Sequence, residues 1–516
     1  MTQKGILLAV PLLATGTASA AAQRTASHRA VRPNIILIVA DDLGYGDLSC
    51  YGARRVRTPH VDALARSGLR FTAAHACAST STPARYGLLT GEYPFRREGT
   101  DVAAGNAGMI IRPEQYTLAD MFRAAGYRTA AIGKWHLGLG SQTGAQDWNG
   151  ELDVHLRDIG FDYSYIMAAT ADRVPCVFIE NGRVADYDPS APIEVSYRHN
   201  FPGEPTGRDN PELLTKMGSS HGHDQSIVNG IGRIGYMRGG GKALWRDEDI
   251  ADSITARACR FITEAAGRGQ PFFLYLCTND IHVPRYPADR FRGNSPMGLR
   301  GDVVAQFDWT VCEVLATLRG ADIEGETLVI LTSDNGPVLD DGYADRAEEL
   351  AGDHLPGGPF RGGKYSAYEA GTAVPLIVSW PGHVKAGRES HALFAQTDLF
   401  RSLARLTGVR LPDNAAPDSR EMLHTLLGRS RKPAPYVLTM PNNRSVNLRT
   451  QQWKYIAPSD GPAVVPWGTR IETGYRTHPQ LFNLQASRYE TDNQADRHPR
   501  LVRKFQRIID RERGMR

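Results

Sequence analysis

Four short apolar runs constrain this chain more than any other feature. Residues 34–40 read NIILIVA, 271–276 PFFLYL, 327–331 TLVIL and 374–378 VPLIV. None alternates apolar with polar residues, so a strand built from any of them must be covered on both faces. Between them lie segments with helical periodicity. Residues 117–126 open on Thr117, carry Asp120 in the first turn and stop at Gly126, a cap, an acid and a terminator in helical order. Further helices are expected over residues 250–265 and from about 303 to 318. Strands alternating with helices predict an α/β fold: a large mixed, mostly parallel sheet sandwiched by helices.

The ends of the chain differ from this pattern. Lys4 precedes the apolar stretch 5–14, and small residues follow to Ala18-Ser19-Ala20. That order predicts a signal peptide over residues 1–20, too short to span a bilayer, and an exported periplasmic or extracellular product. No later stretch suggests membrane insertion. Residues 21–415 are assigned to one large domain and 416–516 to a smaller α+β subdomain. In the latter, 446–450 and 453–456 read as a hairpin, 480–484 as a strand, and the basic C-terminus as a helix. The Gly-, Pro-, Asn- and Asp-rich stretch 138–241 is expected to form insertions over one end of the sheet. Sixty Lys and Arg against 56 Asp and Glu leave +4, too balanced to predict a nucleic-acid partner. Cys50, Cys77, Cys176, Cys259, Cys277 and Cys312 form no CxxC pair, and read mostly as small buried apolar residues.

Asp41-Asp42 directly follow the first apolar run, and Asp334-Asn335-Gly336 closely follow a later one. Ligands of open α/β sheets bind beyond the strand C-termini, so both pairs are expected at one edge. Carboxylates gathered there call for a cation, and oxygen-only ligands favour Ca²⁺ or Mg²⁺. Next in order is STSTPARYGLLTG over residues 79–91. Ser81 or Thr82 is placed to cap a helix whose first turn holds Pro83, with Gly91 ending it. A Ser at a helix N-terminus also suits anion chemistry, and Arg85 lies one turn on.

Ser81-x-Pro83-x-Arg85 followed by Leu89-Thr90-Gly91 resembles the signature of the type I, formylglycine-dependent sulfatases, of the alkaline-phosphatase-like superfamily. In that signature a leading Cys or Ser is oxidised to Cα-formylglycine; here the match is to the Ser-type bacterial branch. The resemblance continues in family order through Ala40 to Asp47, Gly133-Lys134-Trp135-His136, Ser333-Asp334-Asn335-Gly336, Phe360 to Lys364, Tyr368 to Gly371, Gln396-Thr397-Asp398 and Trp453-Lys454-Tyr455. Cys77 does not fit, because Ser79 and Ser81 stand where the signature needs Pro and Arg.

The resemblance implies an exported sulfatase that hydrolyses sulfate monoesters, on carbohydrates or other sulfated substrates, after a maturase acts on Ser81. The metal, Ca²⁺ with Mg²⁺ as the alternative, would be ligated by Asp41, Asp42, Ser81, Asp334 and Asn335. The hydrated formylglycine would attack sulfur, with Arg85 holding the aldehyde and Lys134 and Lys364 gripping sulfate. His282 would protonate the leaving alcohol and His136 would take the proton that releases sulfate; imidazole suits both tasks. His221 and His223 are weighed as a second metal site, substrate contacts or a solvated loop. Arg173, Asp340 and Asp341 are placed near the mouth by position alone. Two competing readings are a phosphate or phosphonate monoester hydrolase of the same superfamily and an inactive glycan-binding homologue.

Overall fold

The computed structural model describes residues 1–2 and 32–515. The expected signal peptide therefore falls, beyond its first two residues, outside the described residues. Residues Pro33–Arg516 form one compact unit.

The apolar runs do become buried strands. Strands β1 (Asn34–Ala40), β2 (Leu69–Phe71), β3 (Arg128–Lys134), β4 (Tyr163–Met167), β5 (Phe178–Glu180), β6 (Arg183–Val184), β7 (Phe272–Cys277), β8 (Thr327–Ser333), β9 (Leu376–Ser379) and β10 (Arg388–Ser390) share one sheet, in the order β10-β2-β9-β8-β1-β7-β3-β4-β5-β6. The five central strands, β8, β1, β7, β3 and β4, are mutually parallel. Antiparallel pairs flank them on both sides. Every residue of β1, β7 and β8 is buried, as their lack of alternation requires.

Register sets up the chemistry. Ala40 pairs with Ser333, Val39 with Cys277, and Cys277 with Gly133. The C-terminal ends of β1, β3, β7 and β8 thus lie level at one edge of the sheet. Gly133 makes the β3–β7 approach possible: its φ is 100°, and an added Cβ would sit 1.8 Å from the Cys277 carbonyl oxygen, a contact only glycine avoids.

Helices cover the faces. Helix α1 (Ser81–Thr90) follows β2, and α2 (Leu118–Ala124) precedes β3. The latter starts with a full capping box, Thr117 and Asp120 each bonding the other's backbone N–H. Helix α3 (Ile250–Gly267) matches its expected span, while α4 (Gly298–Gly320) begins five residues early. Its first residues include Gly298, Arg300, Gly301 and Asp302, which carry no apolar period. Instead the Asp302 carboxylate accepts the N–H groups of Gly293, Asn294 and Ser295 and so fixes the preceding turn.

The 138–241 stretch needs correction. Beyond its loops it contributes β4, β5 and β6, three strands of the main sheet. After it, β11 (Val437–Thr439), β12 (Asn447–Arg449), β13 (Trp453–Ile456) and β14 (Gln480–Asn483) make a small antiparallel sheet. Helix α5 (Pro499–Glu512) buries Phe505 and Ile509 in one apolar cluster with Leu448, Tyr455 and Leu481. All six cysteines are free thiols.

Candidate active site

The site starts from how α1 begins. Its N-cap is Thr80, in extended conformation and without a side-chain capping bond, and Ser81 is the first helical residue. The expected cap at Ser81 or Thr82 is therefore not formed, and both side chains are free for other contacts. Thr82 Oγ1 donates to the His136 carbonyl at 2.9 Å and accepts the Ala103 N–H at 3.1 Å. Ser81 Oγ accepts from Lys134 Nζ at 2.8 Å, and Asp41 Oδ1 and Asn335 Oδ1 lie 3.4 and 3.3 Å from it. One hydroxyl hydrogen serves only one of those two oxygens at a time.

Around this oxygen the four strand ends deliver their charges. Asp41 and Asp42 follow β1, Asp334 and Asn335 follow β8, Lys134 closes β3, and His282 lies five residues beyond β7. Lys134 Nζ lies 2.5 Å from Asp41 Oδ2 and 3.6 Å from Asp334 Oδ2. Arg85, wholly buried, places Nε and Nη2 each 2.9 Å from Asp334 Oδ2. Asp334 Oδ1 accepts the Asp42 N–H at 3.2 Å, and Asn335 Nδ2 donates to Asp42 Oδ1 at 2.7 Å. Lys364 Nζ bridges Asp42 Oδ2 and Asp341 Oδ2, at 2.8 Å to each.

Burial decides the electrostatics. It pushes the Asp41 carboxyl well above the usual range, and the nearby acids Asp334 and Asp42 add to the push despite Lys134. Burial also raises Asp334, but Arg85 and Lys134 outweigh it and hold that carboxyl below the usual range. Burial lowers the Lys134 ammonium. A dry crowd of acids that drives one of its members toward neutrality is a place where a divalent cation would be stabilised. Asp41, Asp42 and His282 each offer a donor atom within 4.8 Å of the others. The predicted oxygen ligands thus stand together, with Asp334 turned toward Arg85 and the imidazole of His282 added to the group.

Both histidines are buried and held well below their usual range, first by burial and then by Lys134 for His136 and Lys364 for His282. His136 Nε2 faces the Ala103 carbonyl at 2.9 Å, so that nitrogen carries the hydrogen. Its Nδ1 is buried without a hydrogen-bond partner, a free acceptor. His282 Nδ1 faces the Val283 carbonyl at 2.6 Å, which leaves Nε2, 3.8 Å from Asp42 Oδ2, as the free nitrogen.

Ser81, His136, His282 and Lys364 meet on the wall of a cavity of about 320 Å³. Arg173, Asp341, His221 and His223 line it too, whereas Asp340 does not and instead accepts from Ser220 Oγ at 2.7 Å. His221 and His223 join no metal-type cluster among the described residues. His223 Nδ1 faces the His221 carbonyl at 2.9 Å and its Nε2 faces Asp172 Oδ2 at 3.0 Å. Both ring nitrogens are thus engaged, which pins the ring between the His221 backbone and Asp172. Asp172, Tyr365 and Trp467 also line the cavity and were not singled out from the sequence. Asp172 and Tyr365 adjoin Arg173 and Lys364, a usable signal; Trp467 offered none.

Residues 33–409 match the model of the family described as Sulfatase. The chain is 51% identical over 488 residues to the N-acetylgalactosamine-6-O-sulfatase of Bacteroides thetaiotaomicron, covering 95% of this chain and 94% of that protein. It is 32% identical over 426 residues to the steryl-sulfatase of Rattus norvegicus, covering 77% and 70%. A solved structure connected with the metabolism of multiple glycosaminoglycans by Bacteroides thetaiotaomicron superposes with a TM-score of 0.92 at 51% identity, covering 94% of this chain and 100% of that one.

Proposed function

This chain belongs to the sulfatase family and is a sulfuric ester hydrolase, and on that premise we propose that it removes 6-O-sulfate from N-acetylgalactosamine in glycans after Ser81 is converted to Cα-formylglycine. The substrate rests on the 51% identity to a sulfatase of that name across nearly the whole chain. The chemistry rests on one observation: Ser81 Oγ, on the cavity wall, accepts from a buried lysine and faces Asp41 and Asn335. Export is proposed on the N-terminal pattern alone, and the maturase on the Ser-type signature.

Asp41, Asp42, Asp334, Asn335 and the oxygen of residue 81 would hold the cation, Ca²⁺ or alternatively Mg²⁺. When bound, that ion neutralises sulfate oxygens and favours a deprotonated oxygen at position 81. The hydrated formylglycine supplies that oxygen. The chain's own residues do the rest. Lys134 donates to the oxygen at position 81 and stabilises negative charge there. Arg85 holds Asp334 in place so that its second oxygen can accept the Asp42 N–H. Lys364 is fixed between Asp42 and Asp341 with its ammonium on the cavity wall, where it meets an incoming sulfate. His136 keeps its Nε2 hydrogen on Ala103 and takes a proton at Nδ1. His282 anchors Nδ1 on Val283 and hands a proton from Nε2 to the leaving alcohol, the charge of the bound sulfate ester offsetting the burial that keeps the empty ring neutral.

The test is co-expression with a radical maturase, mass spectrometry across Ser81, and sulfate release from 6-O-sulfated N-acetylgalactosamine. We expect a peptide lighter by two hydrogens, sulfate release, and no release from Ser81→Ala. Modified protein that frees no sulfate from this sugar would refute the substrate, and full activity with unmodified Ser81 would refute the chemistry.

A further inference from the structure

The rim of the cavity carries a feature that the sulfatase chemistry does not use. Residues 463–473 double back on themselves: the Val465 N–H donates to the Ile471 carbonyl at 2.9 Å, and the Thr473 N–H to the Ala463 carbonyl at 3.0 Å. Trp467 lies near the tip. The base is bolted to the segment that carries Lys364. Arg361 pairs with both oxygens of Glu472, at 2.7 and 2.5 Å, and Ser366 Oγ donates to the Glu472 carbonyl at 2.6 Å. A Cβ on Gly363 would lie 3.2 Å from Ile471 Cδ1, so the arm rests directly on that backbone. The tip meets the opposite loop: a Cβ on Gly468, whose φ is 96°, would come within 2.8 Å of His221 Nδ1.

This arm is braced at both ends, yet Trp467 remains 40% exposed at the cavity mouth. Its ring stands at 89° to that of Tyr365, with centroids 5.1 Å apart. Tyr365 in turn donates to Asp341 at 3.0 Å, the carboxylate that Lys364 also holds. A line of contacts therefore joins the reacting end to the indole. Val102, 39% exposed, adds a second well-exposed apolar side chain to the same lining. An exposed aromatic ring on the lining of a pocket offers a bound ligand a large apolar face. The cavity, at about 320 Å³, is at the small end of ligand sites and suits one sulfated sugar ring. Whatever that sugar is attached to must leave across the rim.

We propose that residues 463–473 are a sugar-binding arm, on which the Trp467 indole packs against the C–H face of the sugar linked to the sulfated one. Sugar rings pair an apolar C–H face with a hydroxyl edge, and an indole offers the matching large apolar surface. The proposal rests on the glycan reading above. Its test compares wild type, Trp467→Ala and Trp467→Phe, all matured at Ser81, on a disaccharide containing 6-O-sulfated N-acetylgalactosamine and on a simple aryl sulfate. We expect the disaccharide-to-aryl-sulfate ratio of kcat/KM to fall about tenfold in Trp467→Ala, mostly through KM, and to recover in Trp467→Phe. An equal loss on both substrates, or no loss on the disaccharide, overturns the arm while leaving the glycan reading intact. A wild-type enzyme that cleaves the aryl sulfate but not the disaccharide overturns both.

Discussion

Asp47 lies six residues beyond Asp41 in the same acidic segment, yet it does different work. Its carboxylate is gripped by Arg300 Nη1 and Nη2, each at 2.7 Å, by His354 Nε2 at 2.8 Å and by the Gly44 N–H at 2.8 Å. Burial alone would raise its pKa, but Arg300 and His354 outweigh that and hold it at about 2. Asp47→Ala would strand a buried guanidinium and is expected to cost about 3–5 kcal/mol, with kcat per folded molecule retained. The folded pKa lies below the ordinary 3.8, so this stabilisation is complete above about pH 4 and is lost as pH falls toward 2. Urea melts of wild type and variant at pH 7 and pH 3 should therefore show the gap narrowing in acid; a constant gap would contradict the ionised pair. The resemblance assigns Asp41 and Asp42 to the metal and gives Asp47 no role, and nothing in the sequence shows what holds it. Asp42 turns into the site with φ 58°, while the side-chain partners of Asp47, Arg300 and His354, come from more than 250 residues away.

At the scale of single elements, legibility follows side-chain size. Strands β1, β7 and β8 announce themselves by uninterrupted large apolar residues, and with them the edge where the acids stand. Strand β3 reads RTAAIGK, too small and polar to be read as a strand, although it carries Lys134. Its smallness has a use, since Gly133 must pass beneath the Cys277 carbonyl. Two substitutions separate scaffold from site. Thr117→Ala removes one half of the α2 capping box and should cost about 1 kcal/mol of stability, leaving kcat/KM as it was. Gly133→Ala forces a Cβ into backbone at φ 100° and should cost about 3 kcal/mol while also lowering kcat, because Lys134 and His136 follow directly. Thermal melts with steady-state kinetics on both variants decide it. A normal kcat in Gly133→Ala would show that the β3 end does not position the site.

The whole molecule is tied together by charges that no local pattern reveals. Glu369, 1% exposed, accepts from Arg449 Nε at 2.7 Å and lies 3.6 Å from Lys454 Nζ, both on the small C-terminal sheet. On its other side His75 Nε2 is 3.3 Å away. Next to this cluster, burial and the neighbouring Glu369 push the Glu490 carboxyl up to about 8 against the pull of Lys454, and it accepts the Glu369 N–H at 2.8 Å. The hairpin and strand read from residues 446–456 and 480–484 do lie in a second, smaller sheet, but the sequence does not show that its cations neutralise an acid of the larger part. A chain ending at residue 415 would lose Arg449 and Lys454 and leave Glu369 buried beside His75 alone. It would also lose the arm that carries Trp467. Removing the partners of a buried charge is strongly destabilising, so this shortened chain should fail to fold cooperatively and should aggregate on purification. Arg449→Met in the full chain should lower the melting temperature by several degrees, as a loss of about 3 kcal/mol implies. Size-exclusion chromatography and circular dichroism on both proteins test the point. A soluble, cooperatively melting 1–415 chain would mean that the large sheet folds alone and that the charged seam is an accessory to it.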